Sequence, residues 1–259
     1  MAEALAGRRL PLSAAALVVA VAAVSGCASS GPDASPAVPT ATTAQAKGVG
    51  GAAASPAATP SATAPARLPG LGPKTLAKVP DDADQVVVAT GRSKTSSSSQ
   101  VVLYRRTASG WQAGATWKAH NALKGWTDDH HVGDLHSPIG VFTLSDAGGL
   151  LADPGSKLPY HRSSGFAVGG TGFEDEPLAG SFDYVIAIDY NRDRGTSPLN
   201  RARPLGAAKG GGIWLHVDHG GPTHACVSLS EAHMKDLLRT LDPARHPVIV
   251  MGDAASLSA

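Results

Sequence analysis

Short runs of apolar and β-branched residues recur along the chain from residue 85 to residue 251, and stretches rich in glycine, proline and polar residues separate them. Runs of this length and composition, with such boundaries, are typical of β-strands. The first two runs, QVVVAT and QVVLYR, flank a polar loop and predict a hairpin. The pattern as a whole predicts seven strands, at residues 85–90, 100–105, 111–119, 140–144, 184–189, 212–217 and 248–251.

One later segment has a helical period instead. Ser230 can cap its N-terminus, Glu231 suits its first turn, and Pro243 ends it. Four apolar residues recur at helical spacing and predict the buried face, namely Met234, Leu237, Leu238 and Leu241. Together the elements predict a mainly β fold, a β-rich sandwich or barrel-like sheet with one late helix.

Residues 1–27 have the pattern of a secretory signal peptide. Arg8 and Arg9 precede an apolar run at residues 10–24 that is too short to span a membrane. The run leads into VSGC, which resembles the bacterial lipobox, so we expect Cys27 to be lipidated and to become the mature N-terminus. The lipid would hold an exported protein on the outer face of the cell membrane, facing the cell wall. An ordinary signal peptide and a twin-arginine signal are the alternatives.

Amino-acid composition divides the rest of the chain into a predicted tether, a domain and a short tail. Residues 28–83 consist mostly of Ala, Pro, Ser, Thr and Gly, which bury too little apolar surface to offset the entropy of ordering, and they predict a disordered tether. Residues 84–252 predict one domain of ordinary size, followed by a tail at residues 253–259. The formal net charge is +1 and the predicted domain has no run of Lys or Arg, so no nucleic acid is expected as a partner.

Residues 216–229 read HVDHGGPTHACVSL and place the thiol of Cys226 among three histidines. The predicted lipid anchor consumes Cys27, the other of the two cysteines, so Cys226 has no disulfide partner in an oxidising compartment. Cys226 is then a buried inert residue, a nucleophile, or part of a metal site. The plausible ligands of such a metal are His216, Asp218, His219 and His224, but their spacing matches no metalloenzyme signature such as H-E-x-x-H.

A cysteine nucleophile needs a base close by. His216 lies near the end of the apolar run IWLHV, and a tight glycine-rich loop can bring it close to Cys226. The imidazole would take the proton and stabilise the thiolate, and backbone N–H groups around Cys226 could hold an oxyanion. Composition and spacing leave the choice between an inert and a reactive cysteine open.

Two motifs resemble those of the L,D-transpeptidase (YkuD-type) catalytic domain family. THACV at residues 223–227, with His216 upstream, resembles the family's [Ser/Thr]-x-Gly-Cys motif. GDLHSPIGVF at residues 133–142 is similar to its G-D-x-x-[ST]-P-x-G-x-F segment, and the likeness extends over residues 85–252. The resemblance implies a β-rich fold, a cysteine acyl-enzyme mechanism without metal or other cofactor, and peptidoglycan stem peptides as the substrate.

The same resemblance implies roles for individual residues. Cys226 would attack the stem peptide and His216 would be the general base. Backbone N–H groups around Ala225 and Cys226 would form the oxyanion hole, while Thr223 and His224 would shape the site. Ala225 stands where the family has glycine. A non-catalytic peptidoglycan-binding lipoprotein is therefore one alternative function, and an L,D-carboxypeptidase that uses water as acceptor is another.

Other polar residues near the motifs are expected to be structural. His219 lies in the glycine-rich loop and is expected to be solvated. Asp134 is expected to fix the turn before the Pro138–Gly140 segment. Three further histidines are expected in an exposed loop rather than a metal site, namely His130, His131 and His136.

Overall fold

A computed structural model of the chain describes residues 64–259, and this part is mainly β. Its twelve strands are β1 Gln85–Gly91, β2 Ser98–Thr107, β3 Gly110–His120, β4 Trp126–Thr127, β5 Ser137–Pro138, β6 Gly140–Thr143, β7 Ala147–Gly149, β8 Tyr160–Arg162, β9 Val185–Ala187, β10 Trp214–Val217, β11 Val227–Leu229 and β12 Val248–Asp253. Its three α-helices are α1 Pro73–Leu76, α2 Glu231–Thr240 and α3 Ala254–Leu257.

All seven predicted strands are present, and so is the predicted helix, as α2. The predicted strands at residues 184–189 and 212–217 are shorter than expected and become β9 and β10. Five strands that the pattern did not predict have only two or three residues each, which is too short for an alternating pattern to be recognised. The mainly β fold class is confirmed, with two four-residue helices added to the expected one.

Ten of the strands form one sheet in the order β6-β12-β1-β2-β3-β11-β10-β9-β7-β8, and β4 pairs with β5. Most neighbours are antiparallel, but β10 and β11 are parallel, with Leu215 opposite Val227 and Val217 opposite Leu229. β11 also pairs with β3 and β10 with β9, so both strands lie inside the sheet. This interior position fixes the two segments that carry His216 and Cys226.

Strand β1 is buried on both faces. Val87 and Ala89 belong to the main core, whereas Val86 and Val88 belong to a second cluster on the opposite face. A strand covered on both sides has a continuous apolar run rather than an alternating one, which explains the three consecutive valines.

Helix α2 packs on the main core as the sequence predicts. The side chain of Ser230 caps it by accepting a hydrogen bond from the backbone N–H of His233, 3.3 Å away. The four apolar residues of its predicted buried face are fully buried, namely Met234, Leu237, Leu238 and Leu241. Truncating one of these leucines to alanine would cost about 2–5 kcal/mol of stability.

The boundaries of the domain differ from those predicted. Residues 64–83, expected in the tether, pack on the second cluster: Leu68 is buried there, and the N–H of Gly72 donates to the carbonyl of Leu257 at 2.9 Å. The average composition of this segment is rich in Ala and Pro, but its few leucines and valines supply enough apolar surface to pack on the domain. The predicted tail is also ordered, because it contains α3 and the buried Leu257.

The predicted signal peptide, Cys27 and the first part of the tether lie outside the described residues. Within residues 64–259, none of the helices is long and apolar enough to cross a membrane.

Candidate active site

The parallel pairing of β10 and β11 brings His216 and Cys226 to the same place. His216 lies within β10, and Cys226 immediately precedes β11. The backbone N–H of Trp214 donates a hydrogen bond to the Sγ atom of Cys226 at 3.4 Å. The loop between them turns at Gly220, whose φ of 92° lies in the left-handed region that favours glycine.

Cys226 and His216 line one cavity of about 270 Å³. Its other lining residues are Val168, Leu178, Ser181, Phe182, Gly212, Trp214, His219, Thr223 and His224. The thiol-bearing and imidazole-bearing residues therefore lie at the same cavity. The structure brings together Cys226, His216, Thr223 and His224 as the sequence predicts.

The imidazole of His216 is held in one orientation. Its Nδ1 lies 2.8 Å from the carbonyl oxygen of Val217, which can only accept a hydrogen bond, so Nδ1 donates and Nε2 keeps its lone pair. The ring of Phe182 meets it edge-on at 5.2 Å, and the ring of His219 lies parallel to it at 5.7 Å. Burial lowers the pKa of His216 to about 4, so the ring is a neutral proton acceptor at neutral pH.

The thiol of Cys226 is also neutral at rest. Burial raises its pKa to about 11, and the hydrogen bond from Trp214 opposes this rise only in part. The sequence led us to expect that His216 would stabilise the thiolate of Cys226. The structure instead raises the pKa of this thiol. Burial disfavours the charged form of both groups, so the resting pair is thiol and imidazole rather than thiolate and imidazolium.

Two hydroxyl groups fix the backbone at Cys226. The Oγ1 atom of Thr223 donates to the carbonyl oxygen of Cys226 at 2.7 Å, and Thr223 is buried. The Oγ atom of Ser137 donates to the same oxygen at 3.3 Å and accepts from the N–H of Ala122 at 3.1 Å. Ser137 was not among the predicted site residues, although it belongs to the GDLHSPIGVF motif, so the two motifs meet at this carbonyl.

Ala225 does not need the conformational freedom of glycine. It is not one of the non-glycine residues with positive φ in the described part of the chain, which are Leu135, Asp175, Asn191 and His246. Its side chain is partly buried against the main core and does not line the cavity. The methyl group is therefore accommodated without strain in the backbone and without filling the space beside the thiol.

The other two histidines of residues 216–229, His219 and His224, differ in their exposure to solvent. His224 is exposed at the cavity mouth, and its ring packs on Phe173 at 4.7 Å. The expectation of a solvated His219 is wrong, because its side chain is only 5% exposed and its Nδ1 lies 3.0 Å from the Oε1 atom of Glu176. The sequence carried no signal of this contact, since Glu176 is far from His219 along the chain.

Asp218 does not line the cavity and pairs with two other side chains. Its Oδ1 atom accepts hydrogen bonds from the Oγ of Ser228 at 2.7 Å and from the Nδ1 of His120 at 2.8 Å. Burial alone would raise the pKa of Asp218, but these two bonds, the charge interaction with His120 and the backbone N–H of Gly220 together outweigh it and hold the pKa at about 2. Within residues 64–259, no three His, Cys, Asp or Glu side chains are arranged to hold a metal ion.

The second histidine patch is only partly exposed. His130 is buried, with its Nδ1 3.0 Å from a carboxylate oxygen of Asp134, and burial lowers its pKa, so the expected exposure is wrong for this residue. His131 is exposed as expected. Asp134 accepts from the N–H groups of His131 and His136 at 2.8 and 2.9 Å, which confirms its role in the turn.

Comparison with known proteins places the predicted domain in a family. The YkuD family model, described as the L,D-transpeptidase catalytic domain, matches residues 83–250. Among solved structures, the "Structure of Bdellovibrio bacteriovorus Bd1075" is similar at 16% identity and a TM-score of 0.37. The match covers 66% of this chain but 48% of that protein, so the chain spans about half of its length. No curated protein matches the chain.

Proposed function

The chain belongs to the YkuD family of L,D-transpeptidase catalytic domains, and from this premise we propose that Cys226 is the nucleophile of a peptidoglycan L,D-transpeptidase. Members of the family act on peptidoglycan peptides. The observation that carries the proposal is the shared cavity, which Cys226 and His216 both line. No cofactor takes part in the proposed reaction.

In the first half-reaction, the Sγ atom of Cys226 attacks the carbonyl carbon of the third, diamino-acid residue of a stem tetrapeptide. The Nε2 atom of His216 takes the thiol proton as the C–S bond forms, because both groups are neutral at rest. The tetrahedral intermediate then collapses to a thioester. The C–N bond to D-Ala breaks, and the leaving amine receives the proton from His216.

In the second half-reaction, an amine of another stem peptide attacks the thioester. His216 takes a proton from this amine, and the departing thiolate of Cys226 recovers it, which restores the neutral pair. Water in place of the amine would give the carboxypeptidase reaction.

The developing oxyanion would be stabilised by the backbone N–H groups of Ala225 and Cys226. Such donors are effective when they are held in place before the reaction begins. The hydroxyls of Thr223 and Ser137 hold the carbonyl of Cys226 and thereby fix this turn. His224, at the mouth of the cavity, would contact the substrate.

The test uses the full-length protein with Cys27→Ala, so that Cys226 is its single cysteine. We expect a stem tetrapeptide or a carbapenem to leave a covalent adduct on Cys226 that is visible by intact-mass spectrometry. Cys226→Ser should abolish the adduct, and His216→Ala should slow its formation by about two to four orders of magnitude. With an amine acceptor present, a cross-linked product supports transpeptidation and hydrolysis alone supports the carboxypeptidase. Absence of any adduct on the parent protein would favour the non-catalytic alternative.

Export and anchoring complete the proposal. The VSGC sequence supports lipidation of Cys27 and a position on the outer face of the membrane, from which the tether would let the domain reach the cell wall. Cys27→Ala should release the protein from the membrane fraction into the medium. A variant that still sediments with membranes would contradict the lipid anchor.

A further inference from the structure

We propose that His219 and Glu176 form a positioning pair that holds the general base His216 and connects it to the hairpin at residues 170–178. The inference rests on the proposed function, because it assigns His219 and Glu176 a role through His216. Neither residue belongs to the two sequence motifs, and neither is needed to bring His216 and Cys226 to the same cavity.

The hairpin at residues 170–178 is a defined element beside the cavity. Thr171 and Pro177 form an antiparallel bridge, and the N–H of Gly172 donates to the carbonyl of Glu176 at 2.8 Å. Residues on both sides of the hairpin line the cavity, namely Val168, Leu178 and Ser181. The carbonyl of Ser181 also accepts from the N–H of Val217 in β10 at 3.0 Å, so the base of the hairpin is joined to the strand that carries His216.

The carboxylate of Glu176 fits between two glycines. A Cβ atom at Gly172, in the hairpin, or at Gly221, in the loop before Cys226, would lie 2.1 Å from its Oε1 atom. Oε1 accepts from the Nδ1 of His219 at 3.0 Å, and Oε2 accepts from the backbone N–H of Glu174 at 2.7 Å. The carboxylate thus joins the hairpin to the loop between His216 and Cys226.

His219 links the carboxylate of Glu176 to the general base His216. Its ring is almost parallel to that of His216, with 9° between the planes, and Phe182 packs on His216 edge-on. The ring of His219 thus adds to the contacts of Val217 and Phe182 that orient His216, and Glu176 holds His219 in place. A proton on His219 would place a positive charge beside His216 and oppose its protonation, whereas the carboxylate of Asp218 acts in the opposite direction.

Two substitutions test the pair in full-length protein with Cys27→Ala. Glu176→Gln removes the charge of the carboxylate, and His219→Gln removes the ring beside His216 while leaving a donor for Glu176. The matched control is Glu174→Gln, which makes the same charge change on an exposed side chain of the same hairpin. The measurements are the rate of Cys226 acylation by a carbapenem, the thermal midpoint, and the titration of His216 followed by NMR.

We expect Glu176→Gln and His219→Gln to slow acylation by about 10- to 100-fold, because a base displaced by a fraction of an ångström loses its alignment with the thiol. His219→Gln should also move the titration of His216 to higher pH, since the interaction with His219 lowers the pKa of His216. Glu174→Gln should change neither the rate of acylation nor the titration of His216.

Unchanged acylation in both variants would overturn the inference. So would a loss of rate that accompanies a lower thermal midpoint while the titration of His216 stays where it was, because that result indicates a purely structural pair. If the parent protein forms no adduct but His219→Gln still shifts the titration of His216, the pair acts on His216 as inferred and the proposed reaction is wrong.

Discussion

At the scale of single residues, one physical cause acts on both members of the proposed catalytic pair. Burial lowers the pKa of His216 to about 4 and raises that of Cys226 to about 11, so each group is neutral over a wide range of pH. The proton must then move during the attack itself, and the environment of the pair matters more than a preformed thiolate. The site also contains no strain at Ala225, which removes the main structural argument for an inactive homologue.

The low pKa of His216 makes stability depend on pH. An unfolded histidine titrates near its ordinary pKa of about 6.5, so between that value and about 4 the unfolded chain binds a proton that the folded chain does not bind. Stability contributed by the neutral ring is therefore present above about pH 6.5 and is lost as the pH falls towards 4. The loss should be at most about 3 kcal/mol.

The measurement is the free energy of unfolding by urea at intervals from pH 7.5 to 4. His216→Gln is the matched control, because glutamine is polar but does not titrate. Its stability should fall less over this range than that of the parent protein. If the free energy of unfolding falls equally with pH in the two proteins, His216 is not a buried ring with a lowered pKa.

At the scale of elements, the local hydrophobic pattern was sufficient to predict a strand or helix whose own residues show that pattern. The valines of β1 and the helical period of α2 predicted both elements, and the strand pattern placed His216 on an apolar strand. The sequence could not show that β10 and β11 are parallel neighbours, because pairing depends on contacts between distant segments. For the same reason the bonds of Ser137 to Cys226 and of Glu176 to His219 appear only in the folded chain.

The turn before β11 gives a prediction at this scale. Thr223→Val keeps the shape of the side chain but removes the donor to the carbonyl of Cys226, which leaves Ser137 as the remaining hydroxyl donor. Loss of this buried hydrogen bond should cost about 1–3 kcal/mol of stability and should slow acylation, because the oxyanion donors would no longer be fixed. Thr223→Ser retains the hydroxyl and is the control. Equal acylation rates in the two variants would show that the hydroxyl does not organise the site.

At the scale of the whole molecule, the domain begins earlier than composition predicts. Residues 64–83 cover the outer face of β1 with Leu68 and its apolar neighbours, and α3 closes the same side from the other end of the chain. Average composition cannot distinguish this segment from the residues before it, because a few leucines and valines are enough to attach it. The pairing of Gly72 with Leu257 further joins the two ends of the domain.

This attachment predicts that the domain needs residues 64–83 for its full stability. A chain that starts at residue 64 should unfold at a higher temperature than one that starts at residue 84, because the shorter chain exposes the second cluster around Val86 and Val88. In the longer chain, Leu68→Ala should cost about 2–5 kcal/mol, whereas Arg67→Ala, at an exposed neighbour, should change stability little. Thermal and urea unfolding of the four proteins measures both effects. Equal midpoints for the two chain lengths would mean that residues 64–83 contribute no stability and that the domain begins at residue 84 after all.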